Sequence, residues 1–296
     1  MGPSPVATSE SGVEAFFHTV TGTTPLFCLH HLPAQGSLRG LVVYVPPFAE
    51  EMNKSRRMAA LQARRLCAAG FAVLQVDLSG CGDSFGDHGD ASWGRWLTDV
   101  RWACDWLRNR HAPIQGSATT PPFWLWGLRA GGLLASQAAE GLDCDCGLLL
   151  WQPSLRGKLV LQQFLRLRLA GNLLDGASGP SMQDLRAQLA AGQTLDIAGY
   201  RLAPALAAAL EQALLQPPAT VRQTLWLELA AAEGAPLSPV SATALSSWRE
   251  AGLAVDARTV AGPSFWQTVE IEEAPALLDA TTAMLMSAND SWRGAS

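Results

Sequence analysis

The residues best able to do chemistry gather around one stretch, FWLWGLRAGGLLASQAA, from Phe123 to Ala139. It reads as a buried strand, a glycine-flanked turn and the start of an amphipathic helix. A nucleophile elbow is built this way: its tip residue is held in a strained backbone conformation, and small residues two positions to either side let strand and helix pass closely. Gly127 and Gly131 supply the small residues, Leu128 and Ala130 flank the tip, and the tip itself is Arg129. A guanidinium stays protonated at ordinary pH and is no nucleophile. It grips carboxylates or phosphates through two parallel hydrogen bonds, and the N–H groups that open a helix favour negative charge at the same spot. Arg129 therefore points to an anion site or an internal ion pair.

A second charged cluster lies upstream in PPFAEEMNKSRR, where Glu50, Glu51, Asn53, Lys54, Arg56 and Arg57 follow a core strand as a loop at the functional edge of a sheet. Glu50 or Glu51 is placed to pair with Arg129; a ligand anion is the alternative. Cys81, in SGCGDS, shares its loop with His88, and a thiol needs a base or a depressed pKa to react. The plainer reading of Cys81 is a small residue in a tight turn that Ser84 closes and Asp77 and Asp83 brace. Glu228 ends the strand-like LWLEL, and Glu233 behind it reads as a surface carboxylate.

Positioning these groups requires strands and helices in alternation, which favours an α/β layered fold with a mostly parallel sheet and helices on both faces. LRGLVVYVPPF, FAVLQVDL, residues 123–126, GLLLWQP, TLWLEL and LAVDARTV read as strands. SRRMAALQARRLCAAG, SWGRWLTDVRWACDWLRN, SATALSSWREAG and a segment near EEAPALLDATTAMLM read as helices. Between residues 154 and 220 only helices are expected, as a cap inserted into a core formed by residues 12–153 and 221–288. In the first cap helix, Leu159, Leu161, Phe164, Leu165 and Leu169 form a stripe facing the core; Arg156, Lys158 and Arg166 read as a solvated cationic face, with a pocket entrance for an acidic or glycolipid-like ligand as the alternative. The start to about Ser11 and the tail ANDSWRGAS read as frayed.

This order of elements resembles the α/β-hydrolase fold over roughly residues 12–287, and DLSGCGDS resembles a glycine-rich turn common in it. More narrowly, VPPFAEEMNKSRRM, DLSGCGDS and LWGLRAGGLLA resemble the exosortase A system-associated hydrolase 2 family, which implies a place beside bacterial exosortase (PEP-CTERM) and exopolysaccharide systems. The resemblance implies that Phe48 sits near an oxyanion-hole donor and that Cys81 borders the pocket; a hydrolase site would gather Trp151 and Trp266 with Arg129 under the cap. The resemblance also implies a catalytic histidine in the loop after the last strand. That loop reads VAGPSFWQTVE, and all five histidines lie before residue 112. Two of the three positions of a serine–histidine–acid triad thus carry residues unable to do its work.

Composition narrows the classes further. Apolar residues are 48% and charged residues 16%, which argues for a large interior. The net charge of −5 carries no footprint for nucleic acid. Neither a leader nor a membrane span is expected, and the six cysteines lack disulfide or zinc spacing. The expectation is a reduced, cytoplasmic protein with no metal or cofactor. Two functions follow. One is an ester or acyl hydrolase of unusual chemistry, in which Arg129 holds a substrate anion and Glu50, Glu51 or Glu228 activates water. The other is an inert pseudoenzyme that binds an anionic ligand, small or linked to lipid or glycan, or a partner protein.

Overall fold

The computed structural model describes residues 12–19, 25–34, 38–112, 120–174 and 179–294, without the side chains of 172–174, 293 and 294. The start up to Ser11 lies outside them. Three neighbouring strands, β3 (Gly40–Val45), β5 (Phe123–Leu128) and β6 (Cys146–Trp151), are buried along their whole length. A strand covered on both faces need not alternate, which is why each reads as a continuous apolar run. They form the centre of an eight-stranded sheet with β1 (Gly12–His18), β2 (Leu26–Leu32), β4 (Phe71–Val76), β9 (Val221–Ala230) and β10 (Ala254–Ala261), in the order β1-β2-β4-β3-β5-β6-β9-β10. β2 is antiparallel to β1 and to β4, and every other pairing is parallel. In the central register Val43 stands between Leu74 and Leu125.

The sheet separates two cores. On one face pack α2 (Trp93–Arg110), α3 (Ala130–Ala139) and α7 (Pro239–Glu250), with Trp93, Trp96, Trp102, Trp106, Trp226 and Trp248 among them. The other face is covered by α1 (Glu50–Ala68) and α8 (Pro275–Gly294), with Trp124, Trp126, Trp151, Trp266 and Trp292. Trp151 donates its indole N–H to Thr281 of α8 at 2.8 Å, so a large ring is buried with its polar handle satisfied.

Four expectations need correction. The charged run after β3 is no loop, because α1 starts at Glu50; acidic side chains in a first turn complement the helix dipole. The insertion between β6 and β9 is not all helical. Besides α4 (Gly157–Leu174), α5 (Met182–Ala190) and α6 (Pro204–Gln212) it holds a hairpin, β7 (Leu195–Ile197) and β8 (Tyr200–Leu202). Ala198 and Gly199 both take positive φ at its turn, the backbone that a two-residue hairpin requires. In α4, Leu161, Phe164 and Leu165 face the core, but Leu159 is exposed. The tail is helical to Gly294, held by the Asn289 amide donating to the Arg39 carbonyl at 2.7 Å and by Trp292 against Trp124.

Candidate functional site

Arg129 sits where β5 turns into α3, with φ 54° and ψ −119°. A Cβ on Gly127 would lie 2.6 Å from the Gly132 Cα, and one on Gly131 would come within 2.6 Å of the Pro46 carbonyl oxygen. Only glycine permits this closeness. The turn is also pinned from outside: the Arg129 N–H donates to the Trp151 carbonyl, and the Arg129 carbonyl accepts from Gly132 and Ser154. The backbone shape of an elbow is therefore set by the glycines and by β6, whatever side chain occupies its tip.

The Arg129 guanidinium is held on three sides. Nε donates to Glu51 Oε1 at 3.3 Å and Nη2 to Gln163 Oε1 on α4 at 2.9 Å. Its Cζ lies 5.4 Å from the centroid of the Trp266 ring, a cation–π arrangement. Both side chains of the Arg129–Glu51 pair are 12% exposed. Burial pushes the Glu51 carboxyl up to about 7, and nearby Glu50 adds to this while Arg129 opposes it. Burial raises Glu50 as well. One carboxyl oxygen of each, Oε2, is buried without a hydrogen-bond partner among the described residues. An acid that titrates near neutrality beside a fixed cation has the properties of a general base or acid.

The other candidates fall into four places. Phe48, Ala130 and Cys81 line a narrow apolar cleft beside the elbow, where Phe48 meets Phe164 of α4 edge-on at 5.1 Å. Burial, with Asp77 and Asp99 adding to it, pushes the Cys81 thiol up to about 12, far from the thiolate that reacts. His88 does not serve it: Nδ1 lies 3.0 Å from the Arg201 carbonyl and the ring packs edge-on to Phe48, Trp96 and Tyr200. Leu128 and Trp151 are fully buried in the core beneath α8. Glu228 is engaged elsewhere, accepting from the Trp226 indole and from the Ser238 amide that opens α7, each at 3.0 Å. Trp266 stands in the loop after β10, and its buried indole N–H has no hydrogen-bond partner among the described residues.

Two contributors carry no local signal in the sequence. Gln163 reaches Arg129 across 34 positions. Tyr200, on the cap hairpin, accepts from the Asn53 amide at 2.9 Å. Beside it, Arg201 pairs with Asp87 at 2.7 Å. These bonds fasten the cap to the elbow, to α1 and to the loop before α2.

Three solved structures illustrate how widely this architecture is shared. A soluble variant of monoglyceride lipase from Saccharomyces cerevisiae in complex with a substrate analog superposes with a TM-score of 0.61 at 12% identity, over 98% of this chain and 99% of that one. Est1E from Butyrivibrio proteoclasticus with bound ferulic acid gives 0.60 at 15%, over 92% and 98%. A thermostable carboxyl esterase from Bacillus coagulans in complex with glycerol gives 0.58 at 15%, over 96% and 99%. At such identities the likeness is one of fold, and the fold is that of the α/β-hydrolases. No curated protein matches the chain. Residues 36–234 match the family model Hydrolase_4, serine aminopeptidase, S33, and with well over half of its length so matched the chain belongs to that α/β-hydrolase family.

Proposed function

We propose that this protein is the α/β-hydrolase-family member of a bacterial exosortase A and exopolysaccharide system, and that it hydrolyses an ester or acyl group without a serine nucleophile. The observation that carries the chemistry is the Glu51 carboxyl, pushed to about 7 by burial, 3.3 Å from the cation at the elbow. Glu51 takes a proton from water as the water oxygen bonds to the acyl carbon and returns it to the departing oxygen as the ester bond breaks, while Arg129 orients an anionic group of the substrate. The stretches VPPFAEEMNKSRRM, DLSGCGDS and LWGLRAGGLLA support the exosortase assignment. The location that goes with it is cytoplasmic; no helix among the described residues is long and apolar enough to cross a membrane.

One observation favours a second reading. Nε and Nη2 of Arg129 already have partners in Glu51 and Gln163, so the pair satisfies itself as an inert scaffold's would. In that reading the protein binds an anionic ligand or a partner protein and turns nothing over.

Hydrolysis of short- and medium-chain p-nitrophenyl esters whose acyl chain ends in a carboxylate separates the two. Hydrolysis by the wild type with a rising limb centred near pH 7, lost in folded Glu51→Gln and Arg129→Ala variants, is the expected outcome. Hydrolysis no faster than buffer at any pH, or equal in all three proteins, selects the inert scaffold.

A further inference from the structure

We propose that a chamber between α1 and strands β2, β3 and β4 is a second binding site, for a short-chain amphiphile with an uncharged, hydroxyl-bearing head. The chamber has a volume of about 230 Å³, and neither Arg129 nor Glu51 lines it. It exists because α1 presents the small Ala59 and Ala60 where a larger residue would fill the gap, opposite Phe27 and Leu29 of β2 and Val76 of β4. A void of about 150 Å³ with apolar walls admits benzene and stays dry, so this one has room for a chain of roughly six carbons. Apolar lining that faces water forgoes the gain of burial. An apolar occupant offsets that loss. Most of the wall is hydrocarbon, with Arg56 and Asp77 at its polar edge.

The polar end of the ligand has a place of its own. A second cavity, of about 370 Å³, opens under the cap hairpin beside Asn53, Tyr200 and the glycine-rich turn from Gly80 to Asp83. Met52 and Arg56 line both cavities, and Met52 also lines the cleft beside Ala130. A thioether side chain with three rotatable bonds re-packs readily, so Met52 is the partition through which a chain passes from the polar cavity into the chamber. Arg56 pairs with Asp77 at 2.8 Å and also lies near Asp83, so two carboxylates share one guanidinium, and Asp83 is the one that lines the polar cavity. An anionic head would meet that carboxylate. A hydroxyl is instead offered the O–H of Tyr200, whose oxygen accepts from the Asn53 amide.

The probe is 1-hexanol, titrated calorimetrically into the wild type, with hexanoate as the charged counterpart. Ala60→Leu and Leu29→Phe each fill the chamber from a different wall, and circular dichroism and Tm establish that each is folded. Saturable one-to-one binding of hexanol is expected, at least ten-fold tighter than hexanoate and weakened at least ten-fold by either filling variant. Absence of saturable hexanol binding, binding unchanged in a folded filled variant, or equal affinity for hexanoate overturns the proposal. The outcome does not depend on whether Glu51 catalyses hydrolysis. Should one filled variant fail to fold, the other carries the test.

Discussion

Ala49 and Arg129 share nearly one backbone conformation, φ 50°, ψ −123° and φ 54°, ψ −119°, each at the turn from a central strand into a helix. The two turns abut: the hydrogen in place of a Gly131 side chain faces the carbonyl oxygens of Val45 and Pro46, between β3 and α1. Gln152, just after β6, also takes a positive φ. Strain is therefore concentrated along one edge of three adjacent strands, which is where α/β sheets place their sites.

This strain can be separated from the ion pair. Arg129→Ala and Arg129→Gly both abandon Glu51, but glycine accepts the positive φ. Arg129→Gly is expected to be more stable than Arg129→Ala by about 1 kcal/mol, read from urea midpoints at one pH. Equal midpoints would show the turn to be unstrained.

The Glu51 carboxyl makes stability depend on pH. Its folded pKa of about 7 lies above the ordinary 4.5, so the protonated form is favoured by folding. That contribution is fully present below about pH 4.5 and is lost as pH rises through 7, on the order of 3 kcal/mol in all. Glu51→Gln removes the titration while keeping an acceptor for Arg129. The stability of wild type relative to Glu51→Gln should fall between pH 5 and pH 8; a difference constant across that window contradicts the buried carboxyl's role.

The histidines act with the opposite sign. His30 and His111 face each other, Nε2 to Nε2, at 3.0 Å, and His111 is pushed down to about 4, by burial first and then by His30 and Arg110. A folded pKa below the unfolded 6.5 means that the neutral form is favoured by folding. Its stability is present above pH 6.5 and is lost as pH falls toward 4. His111→Gln should lose less stability than wild type between pH 6.5 and pH 4, by urea unfolding; parallel curves would sink this account.

Glycines at the elbow and in the cap should behave oppositely. Gly127→Ala or Gly131→Ala forces a methyl into backbone and is expected to cost about 3 kcal/mol or more, or to abolish soluble expression. A Cβ on Gly171, within α4, meets nothing within 4 Å, so Gly171→Ala should stabilise by roughly 0.5–1 kcal/mol. Thermal unfolding of the three variants decides; a tolerated Gly131→Ala would refute the close approach of the two turns.

What was legible in the sequence followed from physical period and covering. β3, β5 and β6 were readable because both faces are buried, and the elbow because its glycines flank one tip residue. The three-residue strands of the cap hairpin are too short to show alternation, so only their turn could have given them away. The start of α1 was obscured because Glu50 and Glu51, favourable at a helix N-terminus, also read as a solvated loop. Glu228 stood at the end of a strand, as an acid near the site would, yet its side chain turns toward the start of α7. Gln163 meets Arg129 only through the folding of the cap, a relation no local pattern records.

The division of the tryptophans by the sheet has a spectroscopic consequence. Six lie on the α2, α3 and α7 side and five on the α1 and α8 side, so the intrinsic emission of this protein sums two separate interiors. A midpoint taken from that emission averages both, and an early loosening of one face would be hidden by the other. With the six replaced by phenylalanine, the remaining light would come from the layer that contains Trp266, and a change at the cation resting on that ring would be visible as a change in brightness.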